Sequence, residues 1–216
     1  MDRISESHEA AGNRAGTPIE ASLNYIELNG EKPVYYAYEP PAGTPRSTGK
    51  FIARTVPIRN AREVVRDLSL DKQGFQLTHQ ETAVRDFYDQ EEVKTAYYPE
   101  VERLLKEATG AEKVVIFDHQ VGNAELAKRG EKNAREYGRA VHNDYTVKSG
   151  PRRVRDHLPP AEAEQRLQHR FAEINVWRPI RGPIESTPLA VCDSHALRPT
   201  VIGKYFGSLS MISGRK

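Results

Sequence analysis

Cysteine is nearly absent from this chain of 216 residues: Cys192 stands alone, so no internal disulfide can form, which fits a reducing compartment. Within the apolar run Pro188-Leu-Ala-Val-Cys192 it reads as a small buried hydrophobe rather than a nucleophile. Long hydrophobic runs are also missing. No apolar stretch approaches the roughly 18 residues of a membrane span, and Met1 to Gly16 lacks the apolar segment of a secretory signal, so a cytosolic location is expected. Charge of one sign is scarce too, with 32 basic residues against 30 acidic ones for a net +2. The signs are interspersed, and the densest basic string, Arg152-Arg153-Val154-Arg155, is too short for a nucleic-acid footprint. With 38% hydrophobic and 29% charged residues, the chain has the composition of a globular domain. The expected organisation is a flexible leader over residues 1–22, one domain over 23–195 and a divergent tail over 196–216.

Apolar alternation and turn residues predict several strands. Tyr25-Ile-Glu-Leu and Val34-Tyr-Tyr-Ala-Tyr38 flank Asn29-Gly30, the dipeptide that enters a hairpin turn with least strain. Lys113-Val-Val-Ile-Phe-Asp118 reads as a buried strand and Leu189-Ala-Val-Cys192 as another. In Phe171 to Arg178, Ile174, Val176 and Arg178 fall on one face, with Glu173, Asn175 and Trp177 on the other. Helices are expected over 61–68, from Asn60 and Glu63 as a capping box, and after Pro99, where Val101, Leu104, Leu105 and Ala108 share a face and Gly110 terminates. A further helix is expected over 161–169. Gly122 to Arg139 reads as a loop with a helical turn or a flap. Without regular βαβ alternation, the class expected is mainly β with peripheral helices, built on an antiparallel sheet or barrel.

The segment Val141-His142-Asn143-Asp144-Tyr145-Thr146 carries the sharpest chemical signal. On a strand, the side-chain period of two sends His142 and Asp144 to one face, so an imidazole and a carboxylate converge. That is two thirds of the facial triad of two His and one carboxylate that holds ferrous iron in non-haem oxygenases. The plainer alternative is a hydrogen-bonded or solvated pair in a loop. His119, at a strand exit, reads as a hydrogen-bonded structural residue, and His169 as a residue in a helix's last turn.

Five blocks, in order, resemble a known family: Phe117-Asp-His119-Gln-Val121, Val141-His-Asn-Asp-Tyr-Thr146, Ser149-Gly-Pro-Arg152, Ile174-Asn-Val-Trp-Arg-Pro-Ile180 and Pro188-Leu-Ala-Val-Cys-Asp193. They are similar to the AsaB-type hydroxylase/desaturase family of fungal secondary metabolism, which includes gibberellin desaturase-like enzymes and a cephamycin hydroxylation component. The resemblance implies a double-stranded β-helix, or jelly-roll, core, incomplete at its C-terminus. It also implies oxidation of a small natural product with Fe(II), the cosubstrate 2-oxoglutarate and O2. His142 and Asp144 carry over as iron ligands. Arg178 is a candidate for the distal carboxylate of 2-oxoglutarate, because a guanidinium pairs bidentately with a carboxylate; a structural ion pair is the alternative. Asn175 and Trp177 are candidates for the pocket wall, with Trp177 as plain core the competing reading, and Arg152 is a weaker anion candidate beside a solvated loop role. Family members carry a second iron-binding His on a late strand, and none is assigned here. His195 is the least unsuitable substitute, since His157 precedes two prolines and His169 belongs to a helix end. A second hypothesis is therefore a non-catalytic partner of a full-length homologue, within a homo- or hetero-oligomer, pairing through exposed strand edges.

Overall fold

The computed structural model describes residues 16–27, 30, 33–34, 36, 38–45, 47–130, 134, 140–182, 184, 188–196 and the backbone of 209–213. Its elements form two small sheets and a helical layer. Strand β1 (Ile19–Ile26) pairs antiparallel with β2 (Phe51–Ile58), Ile26 opposite Phe51 and Ile19 opposite Ile58. β1 thus begins inside the expected leader, and the Tyr25 strand finds its partner beyond the proline-rich loop rather than in Val34–Tyr38. Of that second segment Val34, Tyr36 and Tyr38 are described and lie outside any strand, while Asn29 and Tyr35 fall outside the described residues. Among the described residues β2 has a strand on one side only, an edge position that tolerates Pro57.

The second sheet has the order β3-β5-β4, from β3 (Phe75–Thr78), β4 (Ile174–Trp177) and β5 (Leu209–Ser213), and both pairings are parallel. This corrects the expectation of a mainly antiparallel sheet. Parallel neighbours need long crossovers, and the connection from β3 to its neighbour β5 carries the helices between residues 90 and 166. β5 comes from the segment read as a divergent tail.

A short 3-10 helix covers Ala61–Asp67, its first turn capped by Asn60, whose side-chain oxygen accepts from the Arg62 amide. Helix α1 (Gln90–Glu92) runs through a π-helical stretch, Val93–Tyr97, into α2 (Tyr98–Thr109). Asp89 caps α1, accepting from the amides of Glu91 and Glu92. Pro99 lies in the first turn of α2, and Gly110 ends it at φ 70°, donating its amide to the Lys106 carbonyl at 2.8 Å. Val101, Leu104 and Leu105 are buried with Leu70, and around them pack Tyr97, Val114, Ile116, Ile174 and Val176. Ala108 is exposed, because the helix outruns the core by one turn.

Helix α3 (Ala124–Lys128) is capped by Asn123; α4 (Ser149–His157) and α5 (Pro160–Arg166) follow. A bidentate pair from Arg155 to Glu164 ties the last two together. Three expected strands do not form. Residues 113–118 are extended but unpaired: Val114 and Ile116 face the core while Val115 and Phe117 are exposed, so helix packing satisfies one face only. Residues 141–146 and 189–192 are also irregular, and Cys192 is exposed rather than buried.

Replacing a buried leucine on α2 should hollow out this core. Leu104→Ala is expected to lower the unfolding free energy by about 2–5 kcal/mol in denaturant titration, while Ala108→Ser should leave the midpoint nearly unchanged.

Candidate metal centre

The backbone delivers His142 to the site by one interaction. Ala140 forms an isolated parallel bridge with Asn24 of β1, and the Val141 amide donates to the Asn24 carbonyl at 2.8 Å. Residue 141 is therefore fixed to the β1 edge. Beyond Asp144 the chain turns at once, with the Thr146 amide donating to Ser149 Oγ at 2.8 Å and the Ser149 amide returning to Thr146 Oγ1 at 3.1 Å. That reciprocal turn starts α4 and leaves too few residues for a strand.

The side chains converge all the same. His142 Nε2 lies 3.2 Å from Asp144 Oδ1, and His142 Nδ1 donates to the Ala140 carbonyl at 2.7 Å. The carbonyl can only accept, so it fixes a proton on Nδ1 and leaves Nε2 as the nitrogen that faces the carboxylate. Asp144 Oδ2 accepts from Asn175 Nδ2 at 2.5 Å. The Asp144 hydrogen bond, then the Ala140 carbonyl, raise the His142 pKa to about 9, and the His142 contact holds the Asp144 carboxyl below its usual range. Without a metal the two form an ion pair, with the proton where a cation would sit. Their side chains keep 60% and 37% of their exposure, so the centre opens to solvent.

β4 separates the remaining candidates by face. Asn175 points to Asp144, as the alternation anticipates, while Ile174 and Val176 pack on α2. Trp177, half-buried, follows Asn175 in the alternation. Arg178 is not brought to the pair. Its guanidinium lies 5.4 Å from the Tyr97 ring centroid and 5.6 Å from that of Phe87, and Nη2 donates to the Gln80 carbonyl at 2.8 Å. It is held by rings and a carbonyl on the α2 side, where Tyr97 packs. Arg152 projects from exposed surface on α4, not from a loop.

Neither His157 nor His195 completes the pair. His157 ends α4 and stacks on Phe117 at 4.6 Å. His195 lies in a short 3-10 turn, Ser194–Ala196, its Nδ1 2.8 Å from Asp193 Oδ1, and the neighbouring Ser194 amide donates to the Gln73 carbonyl at 2.9 Å. Among the described residues no three His, Cys, Asp or Glu side chains converge to hold a metal. His119 is hydrogen-bonded, its Nδ1 2.7 Å from the Tyr98 hydroxyl, and His169 sits three residues past the end of α5.

Sequence reasoning missed Glu173. Both its carboxylate oxygens are buried without a hydrogen-bond partner, two residues before Asn175. Burial pushes its pKa up to about 7, with Arg153 opposing and the Asp144 charge adding to the rise. The signal available was its place on the face of Asn175 and Trp177, the two residues read as candidates for the pocket wall.

Comparison with known proteins places these features. The fold matches that of an iron and alpha-ketoglutarate-dependent endoperoxidase, NvfI, with a TM-score of 0.57 and 23% identity, over 70% of this chain and 56% of that one. A family model described as an oxidoreductase/YMDC permease-like domain matches residues 23–204. No helix among the described residues is long and apolar enough to cross a membrane. A hydroxylase/desaturase of Cercospora beticola, CTB9, is 36% identical over 160 residues, covering 69% of this chain and 49% of the relative. An alpha-ketoglutarate-dependent dioxygenase of a fungal species, phiK, is 36% identical over 139 residues, or 58% and 46% of the two chains. By the family model, then, this is an oxidoreductase/YMDC permease-like domain. The chain belongs to the family of that model, and its relatives include the fungal hydroxylase/desaturases that the five sequence blocks resemble. It spans about half the length of the relatives it matches.

The buried Glu173 sets a pH dependence. Its folded pKa of about 7 lies above the ordinary 4.5, so the folded chain keeps a proton that the unfolded chain releases. Stability from this group is full below the lower value and declines as pH rises through the higher one. Glu173→Gln is expected to flatten that decline in chemical denaturation measured on both sides of the window, with little change on the acid side.

Proposed function

We propose that this chain provides the iron-binding portion of an Fe(II)/2-oxoglutarate-dependent hydroxylase or desaturase acting on a small intermediate of fungal secondary metabolism. The observation that carries the reading is the convergence of His142 Nε2 and Asp144 Oδ1 with Nδ1 already committed to the Ala140 carbonyl, the arrangement a ligating imidazole needs. The donor set, one borderline nitrogen and one hard oxygen, suits a ferrous ion, and His142 and Asp144 would hold it. With 2-oxoglutarate and O2, bound iron supplies the oxidising power to remove hydrogen from an unactivated C–H bond. The likeness to hydroxylase/desaturases and to alpha-ketoglutarate-dependent dioxygenases supports that chemistry, and the fold likeness supports a double-stranded β-helix as the core. Trp177, on the Asn175 face of β4, is the aromatic surface this reading offers to substrate. Among the described residues Arg178 keeps Nε and Nη1 buried without a hydrogen-bond partner, donors that suit the distal carboxylate of 2-oxoglutarate. A cytosolic setting suits the exposed lone Cys192.

One observation favours a second reading, a non-catalytic partner of a longer relative: no third ligand joins the pair among the described residues. Each absent ligand removes metal-binding free energy.

Two measurements separate these readings. Anaerobic addition of Fe(II) and 2-oxoglutarate should produce a visible charge-transfer band that His142→Ala abolishes; no band at high protein and iron concentration defeats the catalytic reading. Light scattering on the purified chain with and without a longer relative should show no new complex if the chain acts alone, whereas a stable mixed species supports the partner reading.

A further inference from the structure

Asp144 is gripped at both oxygens, and the two grips differ in kind. Oδ1 faces His142 Nε2 at 3.2 Å, while Oδ2 accepts from the side-chain amide of Asn175 at 2.5 Å. A carboxylate can only accept, so the amide must present nitrogen rather than oxygen, and the orientation of Asn175 follows from its partner. The two residues are 31 positions apart, in an irregular segment and a strand respectively. Asn175 is itself held in place, because Ile174 and Val176 on either side pack beneath α2. The amide thus projects from the rigid edge of the core to a carboxylate whose own backbone has no strand partner.

We propose that Asn175 is a positioning residue for the metal pair, occupying Asp144 Oδ2 so that Oδ1 is the oxygen offered beside His142 Nε2. Asp144 would then meet a cation through one oxygen, leaving more of the cation's surface open than a two-oxygen grip does. The same amide fixes the rotamer of Asp144, so the carboxylate loses less freedom when a metal arrives. This assigns Asn175 a different task from lining the pocket, and it rests on the iron-binding reading above.

Co(II), whose visible absorption reports ligand number, is a suitable probe for the whole chain without any turnover. Wild type, Asn175→Ala and Asn175→Leu would each be titrated, and the gain in melting temperature at a fixed Co(II) concentration recorded beside the metal-free melting temperature. Asn175→Leu keeps the approximate size of the side chain, removes the amide donor and adds no oxygen that could bind the metal. Affinity about 10–100-fold weaker in both variants, with a smaller Co(II)-induced gain, is the expected result; a purely structural role would lower the metal-free melting temperature and leave the gain intact. Equal affinities would overturn the assignment of Asn175 while the iron-binding reading stood. No Co(II) uptake by the wild type, at concentrations up to millimolar, would overturn both.

Discussion

The burial of Ile174 and Val176 beneath α2 is the contact from which the rest of the site follows. A strand offers alternate side chains to opposite faces, so fixing the inner face fixes the outer one with no further choice. Asn175 meets Asp144 because its two partly buried neighbours pack on the core, and the apolar cluster around Leu104 and Leu105 thereby acts as the mount for a polar centre. A second mount comes from β1, whose Asn24 holds residues 140 and 141 through the backbone. His142 and Asp144 hang between these supports. Neither belongs to a regular element, yet both are placed from ends that do.

Electrostatics explains why such a pair persists without a metal. Asp144 raises the basicity of His142, and protonated His142 stabilises the Asp144 carboxylate, so a proton fills the role of the cation. Metal and proton then compete for the same lone pair. The exposure of both side chains would leave an ion held by them open to water, whereas oxidative chemistry at iron would call for a drier enclosure.

Much of this was legible in the chain, for identifiable reasons. Helix α2 announced itself through Pro99, the apolar spacing of Val101, Leu104 and Leu105, and Gly110, all local signals. The two faces of β4 were equally plain from alternation, and the His142-x-Asp144 spacing pointed to convergence. It did so for a reason the structure revises: an irregular segment, tied at Ala140 and turned at Thr146, brings the side chains together where a strand was expected. Pairing partners were illegible, because they depend on distant segments. Asn29-Gly30 suggested a hairpin with the nearest apolar run, but Tyr25 pairs with Ile52, and the parallel sheet depends on residues beyond 208. The surroundings of Arg178 were not legible either: its position just past β4, on the inner face, sets it against the Phe87 and Tyr97 rings, a setting its charge did not foretell. Glu173 escaped notice for a similar reason, since nothing local tells that a carboxylate will be buried without a donor.

The order of strands in the parallel sheet has a consequence for how the molecule is made. Among the described residues β3 and β4 do not pair with each other; each pairs with β5, which follows both in the chain. During translation both strands therefore wait with open edges, and the sheet cannot assemble progressively from its N-terminal end. Its formation joins residues separated by more than half the chain, a costly loop closure and a slow folding step. Until then α2 and its leucines are what hold β4, so the helix serves as a scaffold in time as well as in space, and the nascent chain's exposure to edge-to-edge aggregation is set by how soon Leu209–Ser213 arrives.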